Sequence, residues 1–186
     1  MKSKIRSAYK AKRQVLSKNE RLDLEAKIHE LLFNHFDFKQ QFVHTFLPIE
    51  KQMEVNTTKV NNTFYELDCQ LATSITLYNP LSLTHSIIPP NTTYVLDKYN
   101  IPTPTQKIDF EINQLNFVIV PLLAFDRLGN RVGYGKGLYD SFLTHCNTDC
   151  IKIGLSYFDV HPTAIATEQH DVKLDFCVTP NRLYSF

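Results

Sequence analysis

The sequence predicts one three-layer α/β/α domain, residues 1–186, built on an open, mostly parallel (mixed) sheet. Short apolar runs rich in β-formers, at 42–49, 117–121, 151–155 and 176–179, alternate with segments whose apolar residues recur at helical spacing. One run, Phe117-Val-Ile-Val-Pro121, is continuously apolar, as a strand covered on both faces requires. Four of the five glycines, Gly129, Gly133, Gly135 and Gly137, fall in the nine residues 129–137 shortly after it. That is the edge at which open α/β sheets bind ligands.

The elements follow in order. Residues 2–16 set Ile5, Ala8, Tyr9, Lys12, Val15 and Leu16 close to a 3.6 period, which predicts a first helix. Ser17-Lys-Asn-Glu20 is a capping box that opens a second, with Leu24, Ile28, Leu31, Leu32 and His35 on its core face. Phe42–Ile49, interrupted at Pro48, suits a buried strand, and Glu54-Val-Asn-Thr57 starts a third helix carrying Val60, Phe64 and Leu67. A strand is expected near Gln70–Ile75. Leu81–Ile88 alternates as a half-buried strand does, between turns at Asn79-Pro80 and Pro89-Pro90-Asn91, and Tyr94–Leu96 is expected to pair with it. Ile101-Pro-Thr-Pro104 reads as an extended loop, because each proline pushes its predecessor out of the α region. A helix at 138–145, strands at 151–155 and 176–179, and a short helix near Ala164 complete the chain. Phe33, Phe36 and Phe38 read as core or helix-end packing, and the tail Arg182–Phe186 as a packed or frayed end.

Composition excludes several classes. Twenty Lys and Arg against nineteen Asp and Glu leave a formal charge of +1, which argues against a nucleic-acid binder driven by bulk charge. No apolar run approaches the roughly 20 residues of a membrane span. Cys69, Cys146, Cys150 and Cys177 form no CxxC motif and read as reduced structural thiols. Residues 1–19 lack an apolar signal core, so a cytoplasmic location is expected. The seven histidines show no HxxxH or HxH spacing and read as surface or core residues.

Two features carry chemistry. Lys2, Lys4, Arg6, Lys10, Lys12, Arg13 and Lys18 all precede the first acid, Glu20. They are either a solvated helix face, or Lys2 and Arg6, four apart on one face, reach an anion. The glycine cluster lacks both the GxxxxGK[ST] and GxGxxG spacings. What it retains is the general anion cradle: glycine-freed backbone N–H groups at a helix N-terminus. Lys136 would set a point charge on a phosphate and Arg131 could clamp it bidentately. Asp140, in the first turn of the following helix, either complements the helix dipole or holds magnesium. A second magnesium carboxylate would come from Asp171 or Asp175.

The run Val120-Pro-Leu-Leu-Ala-Phe-Asp-Arg-Leu-Gly-Asn-Arg-Val-Gly-Tyr-Gly-Lys-Gly-Leu-Tyr-Asp140 resembles the signature VPGLAFDxxGxRLGxGxGYYD of the 5-formyltetrahydrofolate cyclo-ligases, also called 5,10-methenyltetrahydrofolate synthetases. The resemblance covers nearly the whole chain. It takes in Lys2-x-x-x-Arg6, Glu54-Val-Asn-Thr57, Asn100-Ile-Pro-Thr-Pro104 (similar to a family GIPxP), Asp171-Val-Lys-Leu-Asp175 and Val178-Thr-Pro180. It implies a ligase of one-carbon metabolism that uses ATP and Mg2+ to convert 5-formyltetrahydrofolate, with or without a polyglutamate tail, to 5,10-methenyltetrahydrofolate, ADP and phosphate. Phosphoryl transfer to the formyl oxygen would be followed by ring closure, chemistry that rests on positioning and electrostatics.

Carried over by motif, Lys2, Ser3, Lys4, Ile5 and Arg6 would contact ATP, as would Arg131, Val132, Gly133, Tyr134, Gly135, Lys136, Gly137, Leu138 and Tyr139. Arg131 and Lys136 would be catalytic, and Asp140 and Asp171 would hold magnesium. Leu47, Ile49, Glu54 and Tyr134–Leu138 would bind the folate. Leu138 replaces the first tyrosine of the family's GYYD. Asn100 stands where glycine is usual, and asparagine tolerates the left-handed region best after glycine. A monomer with no nucleic-acid or membrane partner is expected. The alternative is a non-catalytic paralogue of the same fold that binds nucleotide, folate or RNA.

Overall fold

The computed structural model describes residues 2–186. Two helices open the chain: α1, Lys2–Gln14, and α2, Lys18–His35. The capping box at the start of α2 forms as predicted, with the Ser17 hydroxyl accepting from Glu20 N and the Glu20 carboxylate accepting from Ser17 N. After β1 (Phe42–His44) come α3 (Thr58–Glu66), β2 (Gln70–Tyr78), β3 (Leu81–Ile87), β4 (Tyr94–Leu96) and β5 (Pro102–Pro104). The second half runs β6 (Phe117–Pro121), β7 (Ala124–Phe125), β8 (Arg131–Val132), α4 (Leu138–Leu143), β9 (Ile151–Leu155), β10 (Phe176–Val178) and β11 (Leu183–Ser185).

Seven strands form one sheet in the order β11-β10-β9-β6-β1-β2-β3. The five inner strands are parallel, and the edge strands β11 and β3 pair antiparallel. This is the mixed, mostly parallel sheet the apolar runs predict. Strand alternation divides the core between two faces. Val43, Ile119 and Ile153 pack under α2 and α3 with Ile28, Leu32, Val60 and Phe64. On the opposite face Val118 and Val120 meet Phe142 and Leu143 of α4. Phe33, Phe36 and Phe38 belong to the α2 side, in edge contact with Phe64, Phe117 and Phe176.

Several expectations are corrected. The first strand ends at His44 instead of reaching Ile49. Beyond the last ladder bond, Thr45 N to Ala72 O, the Phe46 carbonyl is taken by the Thr57 hydroxyl, and Pro48 has no N–H to offer. The third helix starts at Thr58, not Glu54. β4 pairs with β5, not with β3, so the segment read as a loop at 101–104 is an extended strand of a separate hairpin. A two-stranded hairpin tolerates Pro102 and Pro104 because it has few ladder bonds to lose. No helix forms near Ala164: His161 N and Ile165 N bond to Phe125 O and to the Asp126 carboxylate instead of to a helix of their own. The two-stranded β7–β8 hairpin and the strand β11 have no counterpart in the sequence reading.

The strand order reverses between β1 and β6, and the chain just beyond their carboxyl ends opens into a cavity. The fifth glycine lies in the core, against Leu122, Leu174 and Cys177. A Cβ on Gly154 of β9 would stand 2.4 Å from Leu122 Cδ2 and 2.8 Å from Leu174 Cδ1. Gly154→Ala is therefore expected to destabilise the fold by about 1–3 kcal/mol through overpacking. Denaturant unfolding checks this, and a midpoint equal to wild type would contradict it.

Candidate active site

The glycine loop owes its position to one buried carboxylate. Asp126, 1% exposed, accepts hydrogen bonds from Leu128 N (2.9 Å), Asn130 N (3.0 Å), Asn130 Nδ2 (2.9 Å) and Ile165 N (2.7 Å). Burial alone would raise its pKa; these four donors outweigh that and hold it below the ordinary carboxylate value. The turn they close sends β8 back across β7, placing Arg131 and Val132 on the cavity wall. Gly135 and Gly137 then take φ of 91° and 68°, and Gly137 is the N-cap of α4. At Gly135 a Cβ would lie 3.0 Å from Arg6 Cζ, so the missing side chain admits the guanidinium. Arg6 Nε in turn donates to Gly133 O at 3.0 Å.

Charge concentrates at this end of the cavity. Lys2 Nζ lies 2.5 Å from Asp171 Oδ2, which also accepts from Glu168 N at 2.7 Å. Those partners outweigh desolvation and keep the Asp171 carboxyl below its usual range. The Arg131 side chain is 5% exposed; one terminal nitrogen meets Asp140 Oδ1 at 2.8 Å and the other donates to the Val172 carbonyl. Asp140 Oδ1 also accepts from Val172 N at 3.1 Å. Arg131 thus ties α4, which carries Asp140, to the loop that carries Asp171, with both terminal nitrogens engaged inside the protein. Lys136 is exposed and has no ion-pair partner among the described residues.

At the other end Glu54 is 7% exposed and accepts from Ile49 N at 2.7 Å. Burial raises its pKa, opposed by that N–H, by the Tyr134 hydroxyl and by Arg13. Phe46, Leu47, Leu83, Ile101 and Pro102 supply apolar wall. The cavity holds about 520 Å3, within the ordinary range for small-molecule sites.

The structure brings most of the sequence-predicted residues together. Lys2, Arg6, Leu47, Ile49, Glu54, the run Arg131–Asp140 and Asp171 all line this one cavity. Ser3, Lys4 and Ile5 are the exceptions. Ser3 and Lys4 are exposed, and Ile5 packs with Tyr9, Leu123, Ala124, Val132 and Ile165, because helical periodicity turns only every third or fourth residue of α1 toward the site. Asp175 pairs with Lys152 and is not a cavity residue. Sequence reasoning missed Lys10, Gln52, Thr73, Ser74 and Thr76 as lining residues. Of these only Lys10 had a legible signal, its place on the Lys2–Arg6 face.

His44 is a core residue. It is fully buried and packs on Phe142, with Nε2 3.1 Å from both His85 Nδ1 and Ser74 Oγ. Burial drives its pKa well down and, with Lys107 and His145 nearby, brings His85 to about 4.

A parallel-centred sheet with a cation-lined glycine loop beside a partly apolar wall at its switch point defines an α/β protein of the class that places its site beyond the carboxyl ends of the strands. The comparisons with known proteins sharpen that class. The model of the 5-formyltetrahydrofolate cyclo-ligase family matches residues 1–180, and the chain belongs to that family. The 5-formyltetrahydrofolate cyclo-ligase of Mycoplasma genitalium is 29% identical over 85 residues, 45% of this chain and 51% of that protein. That of Haemophilus influenzae is 34% identical over 88 residues, 46% of this chain and 47% of that protein. In these alignments the chain spans about half the length of the curated relatives it matches. Over the fold the likeness is nearly complete. The 5,10-methenyltetrahydrofolate synthetase of Aquifex aeolicus superposes with a TM-score of 0.80 at 26% identity, covering 99% of this chain and 92% of that one.

Asp126→Asn is expected to cost about 1–3 kcal/mol at neutral pH, the price of a buried acceptor replaced by a mismatched donor. Because the folded-state pKa of Asp126 is depressed, its contribution is present above the unfolded value of about 3.9 and lost as pH falls through the lower folded value. Unfolding measured from pH 7 to pH 2 should therefore show a flatter acid limb in the variant, and parallel limbs would contradict the assignment.

Proposed function

We propose that this chain is a 5-formyltetrahydrofolate cyclo-ligase, an enzyme that uses ATP and Mg2+ to close 5-formyltetrahydrofolate to 5,10-methenyltetrahydrofolate with release of ADP and phosphate. The observation that carries the reading is the single cavity, with a cationic glycine loop at one end and a buried carboxylate, Glu54, at the other. The reaction needs that pairing: a phosphoryl donor and a bicyclic amide must meet in one site.

The residues fit the two non-protein partners. Asp140 and Asp171 each engage one carboxylate oxygen inside the protein, and the other makes no hydrogen bond among the described residues. Two carboxylates beside a phosphate site suit magnesium, which takes its remaining ligands from phosphate and water. When bound, the ion supplies positive charge that neutralises phosphate oxygens during transfer. Lys136, Arg6 and the amides of Gly135–Leu138 would bind the triphosphate, and Lys2 would add a further charge at its edge.

Glu54 accepts N–H groups and so would hold the pterin, fixing the formyl oxygen near the glycine loop. In the first step a phosphorus–oxygen bond forms to the formyl oxygen as the bond to ADP breaks. In the second, the neighbouring folate amine attacks the formyl carbon, the carbon–oxygen bond breaks, phosphate leaves with that oxygen, and the amine gives up its proton. Lys136 and Arg131 contribute by holding charge, and no nucleophilic side chain is required. The whole chain would act as one domain, a cytoplasmic monomer.

The test is to follow the near-ultraviolet absorbance of the methenyl product on mixing protein, 5-formyltetrahydrofolate, ATP and magnesium. Product should form only with all components present. Tight binding of both ligands without product would support the non-catalytic paralogue instead. Lys136→Ala and Asp140→Ala should each lower turnover by roughly 100-fold, the usual effect of removing one electrostatic group from a transfer site. Lys136→Ala should melt close to wild type, whereas Asp140→Ala, which leaves Arg131 buried without its paired carboxylate, should also melt lower. Unchanged turnover in folded variants would refute those roles.

A further inference from the structure

Arg13 is 2% exposed, yet no carboxylate lies within ion-pair distance of it among the described residues. Its Nη2 donates to Leu122 O at 2.5 Å, and its Nη1 to Tyr134 Oη at 2.8 Å and Gln52 O at 3.4 Å; its Nε has no acceptor. A buried cation with only neutral acceptors is costly and calls for a reason. The Tyr134 hydroxyl, bonded to Arg13, lines the same cavity as Glu54, and the hydroxyl and the guanidinium both oppose the burial-driven rise of the Glu54 pKa. Since Arg13 donates to the phenol oxygen, the phenol proton is left for the carboxylate. The observed bonds thus run from the guanidinium to the tyrosine on one side and from the Ile49 N–H to Glu54 on the other, with the phenol proton free to turn toward the carboxylate.

We propose that Arg13 is the positioning residue for Glu54, acting through Tyr134 to hold that carboxylate aimed into the cavity as an acceptor for a cyclic amide or amidine N–H edge. That ligand class rests on the function proposed above, where the edge is the pterin's. α1 then serves both ends of the cavity, with Lys2 and Arg6 toward the phosphates and Arg13 toward the ring system.

The arrangement has a pH signature. Glu54 is faced by Arg13 from α1, Tyr134 from the glycine loop, Tyr139 from α4 and the Ile49 amide, while Lys10 covers the Tyr134 ring at 5.5 Å. Burial raises the Glu54 pKa and Arg13 opposes the rise. Removing the guanidinium therefore moves the pKa further up, and binding that needs the ionised carboxylate is lost at a higher pH than in wild type.

Two measurements on the full chain test this: a carboxyl carbon-13 NMR titration of Glu54 without ligands, and binding of 5-formyltetrahydrofolate and of ATP separately. In Arg13→Gln the Glu54 midpoint should rise by about one pH unit, and folate affinity at neutral pH should fall about ten-fold. ATP affinity should stay within about two-fold, because Arg13 makes no contact at the phosphate end. Arg13→Lys should fall between Gln and wild type, and Tyr134→Phe should reproduce the folate loss. If Arg13→Gln does not fold, those two variants decide the matter. An unmoved Glu54 midpoint in folded variants, or equal losses of folate and ATP affinity, overturns the proposal. Wild-type protein that binds no 5-formyltetrahydrofolate would instead sink the proposed function, and the NMR midpoint would still judge Arg13.

Discussion

The cavity depends on how α1 lies across the β7–β8 hairpin. Ile5 and Tyr9 bury one stripe of the helix against Leu123, Ala124, Val132 and Ile165. Each such side chain contributes about 1.5–3 kcal/mol of burial, and a helix of 13 residues is marginal in water without such docking. Once seated, the same helix presents Lys2, Arg6 and Lys10 to the cavity and buries Arg13 behind its Tyr134 wall. Arg6 then closes over Gly135, Lys2 reaches Asp171 and Arg13 reaches Tyr134. The glycine loop, the carboxylates and the far wall are thus tied to a single element near the start of the chain.

That arrangement balances charge before any ligand arrives. Arg131 is buried beside Asp140, with Asp171 also close enough to affect it, so neither carboxylate stands alone. Lys2 adds a second positive partner for Asp171. Preorganised opposite charges in a partly closed site need little rearrangement when a charged ligand binds. The exposed Lys136 adds a positive charge that no carboxylate pairs among the described residues, carried on a loop with left-handed glycines on either side of it.

Some of this was legible in the sequence, for physical reasons that can be named. The run 117–121 is apolar throughout because β6 is covered by helices on both faces, and the capping box at Ser17 is a local device with a local signature. The glycine cluster marked a loop that lines the cavity, because few uses other than a site explain so many glycines together. Asn100 adopts φ of 62°, as its place in a glycine position suggested. What stayed hidden depends on distant partners. β7 and β8 are two residues each, too short for a period, and exist because Asp126 gathers donors from the turn that follows it and from the distant Ile165. The segment around Ala164 gave up a helix to supply one of those donors. Arg13 looked like one more solvated lysine-or-arginine in a basic helix; only packing against Leu122 and Tyr134 distinguishes it from exposed Lys12 beside it.

The central claim is that ATP and the formyl group meet in one cavity, where the formyl oxygen itself receives the phosphoryl group. The most direct measurement uses 5-formyltetrahydrofolate labelled with oxygen-18 in the formyl group, turned over with ordinary ATP and magnesium, with mass analysis of the released phosphate. The account predicts one labelled oxygen per phosphate. Unlabelled phosphate formed together with methenyl product, the label having gone to water, would contradict it.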